Sequence, residues 1–227
     1  MSKIVLEFTT TACNRPSVLN STYSSYSKNL KGVDFEKSRL YLNVDPSPDS
    51  TDIDKVEEVA KRYFGEVIVN YPTTSNFSAA AFWCFSQVKG DMFFHLEDDW
   101  HLTREVDIHR MISKLGNSNL QCILNKKRTP VTSRERGEPS FVPSLISTRY
   151  WQKYLVGFDL SSNPEYQMKI KFRNKSTALF ENRSVDYDSS KELSKDIGRL
   201  WLTKNGLARN YKQGTSWSPW INWKKRK

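Results

Sequence analysis

Glu97, Asp98 and Asp99 stand side by side at the end of an apolar run, Asp91-Met92-Phe93-Phe94-His95-Leu96, with Trp100 directly after them. Three adjacent anions repel one another, so the cluster is costly unless a cation or a hydrogen-bonding ligand lies against it. Hard oxygen donors favour Mg2+ or Mn2+ over zinc. A solvated acidic turn is the plainer alternative. The run before the acids has the length and aromatic content of a strand, which puts them at a strand's carboxyl end, where open α/β sheets place their ligands.

The elements that must hold the acids follow from the patterning. Short apolar runs alternate with amphipathic stretches in the first half, which implies helices packed on a mixed, mostly parallel sheet. Strands are expected near 3–9, 38–44, 66–70, 91–96 and 120–124. Pro16 can open a helix over 16–30, Asp52 can cap one over 53–64, and Ser75 or Asn76 can cap one that ends near Lys89-Gly90. A further helix is expected over 104–115, then a basic, turn-rich loop over 126–136. Beyond it, 141–147 reads as a strand, 148–155 and 164–172 as helices, and 192–204 as a helix stopped by Asn205-Gly206. The aromatic residues Phe77, Phe82, Trp83 and Phe85 have helical spacing and read as core.

The 227 residues, 26% charged and 13% aromatic, describe a globular chain able to bury one substantial core. One domain is expected over 1–227, with 1–125 as a nucleotide-binding half and 126–227 as an acceptor-binding half. The net charge of +10 points to a polyanionic partner such as nucleic acid, an acidic glycan or a membrane headgroup. Cys13, Cys84 and Cys122 form no CxxC pair, which argues against a disulfide framework or zinc site and for a reducing compartment. Neither a signal segment nor a bilayer-spanning window is apparent, so a cytoplasmic monomer is expected, with no membrane partner. His95, His101 and His109 flank the acids, but His95 lies inside the strand and reads as core.

The order of these features resembles the GT-A nucleotide-sugar glycosyltransferases. An opening strand runs into Thr9-Thr10-Thr11-Ala12-Cys13-Asn14-Arg15-Pro16, a second ends at Asp45, and Lys89-Gly90-Asp91 leads into Leu96-Glu97-Asp98-Asp99. The resemblance implies transfer of a hexose or pentose from a nucleoside-diphosphate sugar, assisted by Mn2+ or Mg2+. It makes Asp99 the direct metal ligand and lets Glu97 and Asp98 reach the donor ribose or a metal-bound water. Asp45 resembles the acid that contacts the donor base, although a turn-forming Asp before Pro46 explains it as well. Thr10 and Arg15 fall where polar nucleotide groups would be cradled, or simply in a strand-to-helix turn. Asp196-Ile197-Gly198 is similar to the element that supplies the last metal ligand, with Asp196 where the family often has His; a solvated acid on a helix is the alternative. Glu165 would be the general base if the anomeric centre inverts, or a first-turn Glu favoured by the helix dipole, with Asp159 and Asp186 in reserve.

Charge and aromatics favour DNA as the acceptor. From Ile197 onward no acidic residue occurs, while Arg199, Arg209, Lys212 and Lys224 to Lys227 alternate with Trp201, Trp217, Trp220 and Trp223. In this the chain looks like the small phage enzymes that glycosylate hydroxymethylated pyrimidines, which would place it in a host's cytoplasm and require base flipping. Arg199 and Arg209 could instead bind the donor diphosphate. Glycan or lipopolysaccharide acceptors, a non-enzymatic nucleic-acid binder and a metal-dependent nucleotidyltransferase are the competing readings.

Overall fold

A computed structural model describes residues 2–46, 53–124, 137–174, 184–204, 207–208 and 224–225. The chain opens with β1 (Glu7–Cys13), α1 (Pro16–Asn29), β2 (Leu30–Lys31), β3 (Arg39–Asp45), α2 (Ile53–Lys61), β4 (Glu66–Asn70), α3 (Phe77–Gln87) and β5 (Met92–His95). It continues with β6 (Trp100–Leu102), β7 (Val106–Asp107), α4 (Ile108–Leu115), β8 (Gln121–Ile123), β9 (Ser144–Ser147), α5 (Thr148–Leu155) and α6 (Pro164–Asn174). Last come β10 (Ser184–Asp186), β11 (Ser194–Asp196), α7 (Gly198–Lys204), β12 (Leu207–Ala208) and β13 (Lys224–Lys225).

Seven strands form the main sheet in the order β10-β8-β9-β5-β1-β3-β4. Its neighbours run parallel except at β9, which is antiparallel to both β5 and β8. Successive residues of a strand feed opposite faces, as the period of two requires. Leu40, Leu42, Phe94 and Leu145 join one hydrophobic cluster, while Tyr41, Phe93 and Ile146 join the other. Helices α1, α2 and α4 supply the first cluster; α3, α5 and α6 supply the second. Both faces are therefore covered, as a largely parallel sheet demands.

The local signals mostly hold. Pro16 opens α1, the Asn76 side chain caps α3 by accepting from Ala79 N–H at 3.0 Å, and Gly116, at φ 52°, ends α4. Three expectations shift. The opening strand runs over Glu7–Cys13, so the expected threonine turn is strand; Thr9, Thr10 and Thr11 are buried between β3 and β5. The helix expected over 104–115 gives its first turn to β7, which pairs with β2. The helix expected over 192–204 is β11 followed by α7, because Ser194–Asp196 pairs with Leu102–Trp100. The loop 126–136, together with Arg209, Lys212, Trp217, Trp220, Trp223, Arg226 and Lys227, lies outside the described residues.

Candidate active site

The site grows from the carboxyl ends of three parallel strands. β1 ends at Cys13, its register partner Asp45 ends β3, and β5 delivers Leu96 to Asp99 alongside β1 through Leu96 N–H to Thr9 O (2.9 Å) and Asp98 N–H to Thr11 O (3.3 Å). The acidic run is thereby divided, and each side chain meets a different fate.

Asp98 turns inward and is 3% exposed. Its Oδ1 accepts from Arg15 Nη2 at 2.7 Å, its Oδ2 from Cys13 N–H at 3.2 Å and from the Cys13 thiol at 3.6 Å. The Thr22 hydroxyl donates to its carbonyl at 2.7 Å. Burial pushes the Asp98 carboxyl up and Arg15 pulls it back down, while burial first, with Asp98 and Asp99 beside it and against the pull of Arg15, holds the Cys13 thiol well above its ordinary range. Arg15, 2% exposed, stays protonated because the acids around it outweigh the cost of burying its charge. Its guanidinium also donates to Asp99 Oδ2 at 3.1 Å and lies 5.5 Å from the centre of the Trp201 ring.

Asp99 keeps more exposure, 14% of its side chain against 5% for Asp98. Among the described residues its other oxygen, Oδ1, has no hydrogen-bond partner. β11 carries Asp196 alongside β6, and Ile197 N–H donates to Asp99 O at 2.8 Å. A Cβ on Gly198 would fall 2.1 Å from Asp99 Oδ2, so only glycine lets α7 start against this carboxylate. The backbones at Asp196 and Asp99 are thus brought side by side across 97 positions of sequence. Asp196 already has a partner: its Oδ2 lies 3.2 Å from Arg199 Nε, and Arg199 itself is turned out, its side chain 81% exposed.

The remaining candidates are spread along the same rim. Glu97 accepts from Trp100 Nε1 at 2.7 Å. Asp45 is buried, and its oxygens accept from Asn43 Nδ2 (2.8 Å), Ser75 Oγ (3.1 Å) and Asn76 N–H (3.1 Å). Asn76 in turn donates to Leu160 O at 3.1 Å, tying Asp45 to the loop before α6. There Glu165 accepts from Ser140 Oγ at 3.0 Å and Lys169 Nζ at 3.1 Å. Asp159 holds Ser161 and Ser162 locally. Asp186 sits on β10 with its carbonyl on Lys114 Nζ (3.1 Å). Thr10 is wholly buried within β1, its carbonyl receiving the Cys84 thiol at 3.4 Å, which removes it from any cradle open to a ligand.

A divalent cation fits this donor set in one particular way. Among the described residues no group of three or more His, Cys, Asp or Glu side chains is gathered as a metal cage. Mg2+ and Mn2+ are commonly bound by one or two carboxylates completed by water and substrate phosphate oxygens, and Asp99 with Asp196 beside it matches that habit. Sequence reasoning passed over the bracing of Asp98 and Arg15 by Cys13, Thr22 and Trp201, and set Trp201 among the aromatics for a DNA acceptor. Nothing local marks the first two. Trp201 stands three residues after Gly198, a spacing that places it on the same face of α7.

The sequence matches no protein-family model and no curated protein. Solved structures do match in shape. S. aureus TarS superposes with a TM-score of 0.54 at 12% identity, covering 83% of this chain and 36% of that one. The mannosyltransferase PcManGT from Pyrobaculum calidifontis, solved with GDP-Man and Mn2+, gives a TM-score of 0.58 at 10% identity over 81% of this chain and 55% of that one. Glucosyl-3-phosphoglycerate synthase from Mycobacterium tuberculosis, solved with Mn2+, UDP and glucosyl-3-phosphoglycerate, gives 0.50 at 14% identity over 88% of this chain and 77% of that one. The chain spans about a third of full-length TarS and just over half of PcManGT. The fold is that of the GT-A glycosyltransferases, as the resemblance implied.

Proposed function

We propose that this chain is a glycosyltransferase that moves a sugar from a nucleoside-diphosphate donor to an acceptor hydroxyl. The observation that carries the reading is the pairing of Asp99 with the Asp196-Ile197-Gly198 segment at the carboxyl edge of the sheet, packed so closely that a Cβ at Gly198 would displace the Asp99 carboxylate or α7. Asp99 and Asp196 would hold a Mn2+ or Mg2+ ion, which when bound stabilises the charge that builds on a departing diphosphate. Asp98 and Arg15 fix the backbone turn that presents Asp99. Glu97, which accepts from Trp100, would meet the donor ribose. Asp45, which pins Ser75 and Asn76, would face the donor base. Arg199, exposed on α7, is available to the diphosphate. Glu165 is the base assigned to the acceptor proton; it must exchange Lys169 or Ser140 for the acceptor hydroxyl to do so.

For the acceptor, the net charge of +10 supports a phosphate-bearing partner, and hydroxymethylated pyrimidine in DNA is the proposed one. Among the described residues no helix is long and apolar enough to cross a membrane. The test uses the purified 227-residue chain, Mn2+ and a panel of UDP- and GDP-sugars. Release of nucleoside diphosphate, lost with EDTA and in Asp99→Asn, is expected; release of pyrophosphate instead would mark a nucleotidyltransferase. Labelled sugar should then pass to DNA containing hydroxymethylcytosine and not to plain DNA. Transfer to a glycan with none to either DNA would replace the acceptor and keep the enzyme.

A further inference from the structure

We propose that Arg15 is a resident counter-cation that keeps the Asp99 site from taking a divalent metal until a donor diphosphate arrives. The inference rests on the reading of Asp99 as metal ligand and adds a role for a residue that touches neither metal nor substrate. Nη2 of Arg15 bonds Asp98 Oδ1 at 2.7 Å and Asp99 Oδ2 at 3.1 Å, so one guanidinium is shared by both acids. Side-chain exposures of 1%, 5% and 14% for Arg15, Asp98 and Asp99 leave little water to screen these charges.

The arrangement has a definite charge count. Two carboxylates and one guanidinium leave a single net negative charge, which is localised on the outward side of Asp99. Asp98 contributes none of it outward, because its oxygens are taken by Arg15 and Cys13. Arg15 is held in place by burial and by the Trp201 ring over its guanidinium, so it stays with the acids rather than swinging out to a phosphate. A divalent ion approaching Asp99 therefore meets a carboxylate with a fixed positive charge behind it, and the neighbouring Asp196 is itself offset by Arg199 at 3.2 Å. The donor's phosphates supply the missing negative charge and oxygen ligands, so metal and nucleotide each depend on the other. Arg15 is a positioning residue, acting through Asp98 and Asp99.

Direct Mn2+ binding tests this, by electron paramagnetic resonance of free Mn2+ with and without UDP or GDP. Wild type should bind Mn2+ weakly alone and much more tightly with one of the nucleotides. Arg15→Met should bind Mn2+ at least about tenfold more tightly than wild type without nucleotide, because the fixed positive charge is gone. Asp98→Asn should do the reverse, since Arg15 then faces Asp99 alone. A purely structural Arg15 would weaken binding in both variants, in step with their melting temperatures. Folded Arg15→Met that binds no more tightly than wild type overturns the proposal. If Arg15→Met does not fold, Asp98→Asn decides, and binding as tight as wild type overturns it. Absence of Mn2+ binding by wild type even with UDP or GDP, or its persistence in Asp99→Asn, sinks the metal reading itself and this inference with it.

Discussion

Two arginine–carboxylate pairs of equal length, 2.7 Å, lie at opposite ends of the same sheet: Arg15 with Asp98 past the carboxyl end of β1, and Arg39 with Glu66 at the amino ends of β3 and β4. Their side-chain exposures are 1% and 5% for the first pair against 38% and 51% for the second. Distance is therefore no measure of what a pair does. Behind Asp98, the Cys13 amide and thiol satisfy the second oxygen, as a desolvated charge requires. Beside Arg39, the Tyr41 hydroxyl at 3.5 Å and Glu7 at 3.8 Å stand ready as substitutes, and water is a third. One pair is a fixed component of a site; the other is one of several arrangements a surface can adopt.

The sharpest way to break this contrast is Asp98→Ala. It leaves a buried guanidinium with Asp99 as its one remaining carboxylate among the described residues and strands the Cys13 amide, a loss of about 3–5 kcal/mol for a broken buried pair. At roughly 2–4 °C per kcal/mol for a chain of this size, the melting temperature should fall by roughly 6–20 °C. A drop within a degree or two would show that water reaches Arg15 and that the two ends of the sheet are alike.

Gly198→Ala tests the same end by crowding instead of removing charge. The new Cβ would lie 2.1 Å from Asp99 Oδ2 and 2.8 Å from its Cγ, so α7 or the carboxylate must move. A displacement near 1 Å costs about 100-fold in rate when it misplaces a reacting group. Donor turnover should fall by about that factor, with a smaller loss of stability than in Asp98→Ala. Unchanged turnover would separate Asp99 from the chemistry.

How much of this was legible beforehand depends on the range of each interaction. The layout of strands and helices over the first half could be read from periodicity, and α5 over Thr148–Leu155 from its amphipathic spacing. Thr9-Thr10-Thr11 misled because three polar residues read as a turn, yet β-branched side chains between two parallel neighbours suit a buried central strand. Ser194–Asp196 misled in the other direction: its helical pattern gives way to pairing with β6, a tertiary contact that no local window contains. Asp99 was marked by its place in the acidic run and Asp196 by the resemblance alone. Their brace was not, because Arg15 and Asp98 are 83 positions apart and a lone Arg before Pro16 has a simpler local reading.

His95 offers a smaller test, three residues before Asp98 and buried without any charged partner. Its ring sits 5.0 Å from Phe85 and 5.8 Å from Phe141, with Nδ1 3.0 Å from Thr9 Oγ1, and burial pushes its pKa down to about 3. An unfolded histidine titrates near 6.5. Between about pH 6.5 and pH 3 the unfolded chain thus holds a proton the native one does not, so acidification costs stability, by about 1.4 kcal/mol per pH unit. Urea unfolding at pH 7 and pH 5 should show His95→Phe losing about 2 kcal/mol less on acidification than wild type. The lost Thr9 bond weighs equally at both pH values and cancels. Equal losses would place the proton on the native histidine and make the pocket wetter than its packing implies.

The smallest effect belongs to the exposed pair. A double-mutant cycle on Arg39→Ala and Glu66→Ala should give a coupling below about 1 kcal/mol, shrinking further in 1 M salt as the screening length contracts to about 3 Å. Removing Glu66 leaves Arg39 with Glu7 and Tyr41, and removing Arg39 leaves Glu66 in water, so neither single change strands a buried charge. The same cycle on Arg15 and Asp98 should keep its coupling in salt, because the ions that screen the surface cannot enter a site from which water is already excluded. A coupling at Arg39 that resisted salt would mean that this end of the sheet is also closed, and burial would no longer distinguish the two pairs.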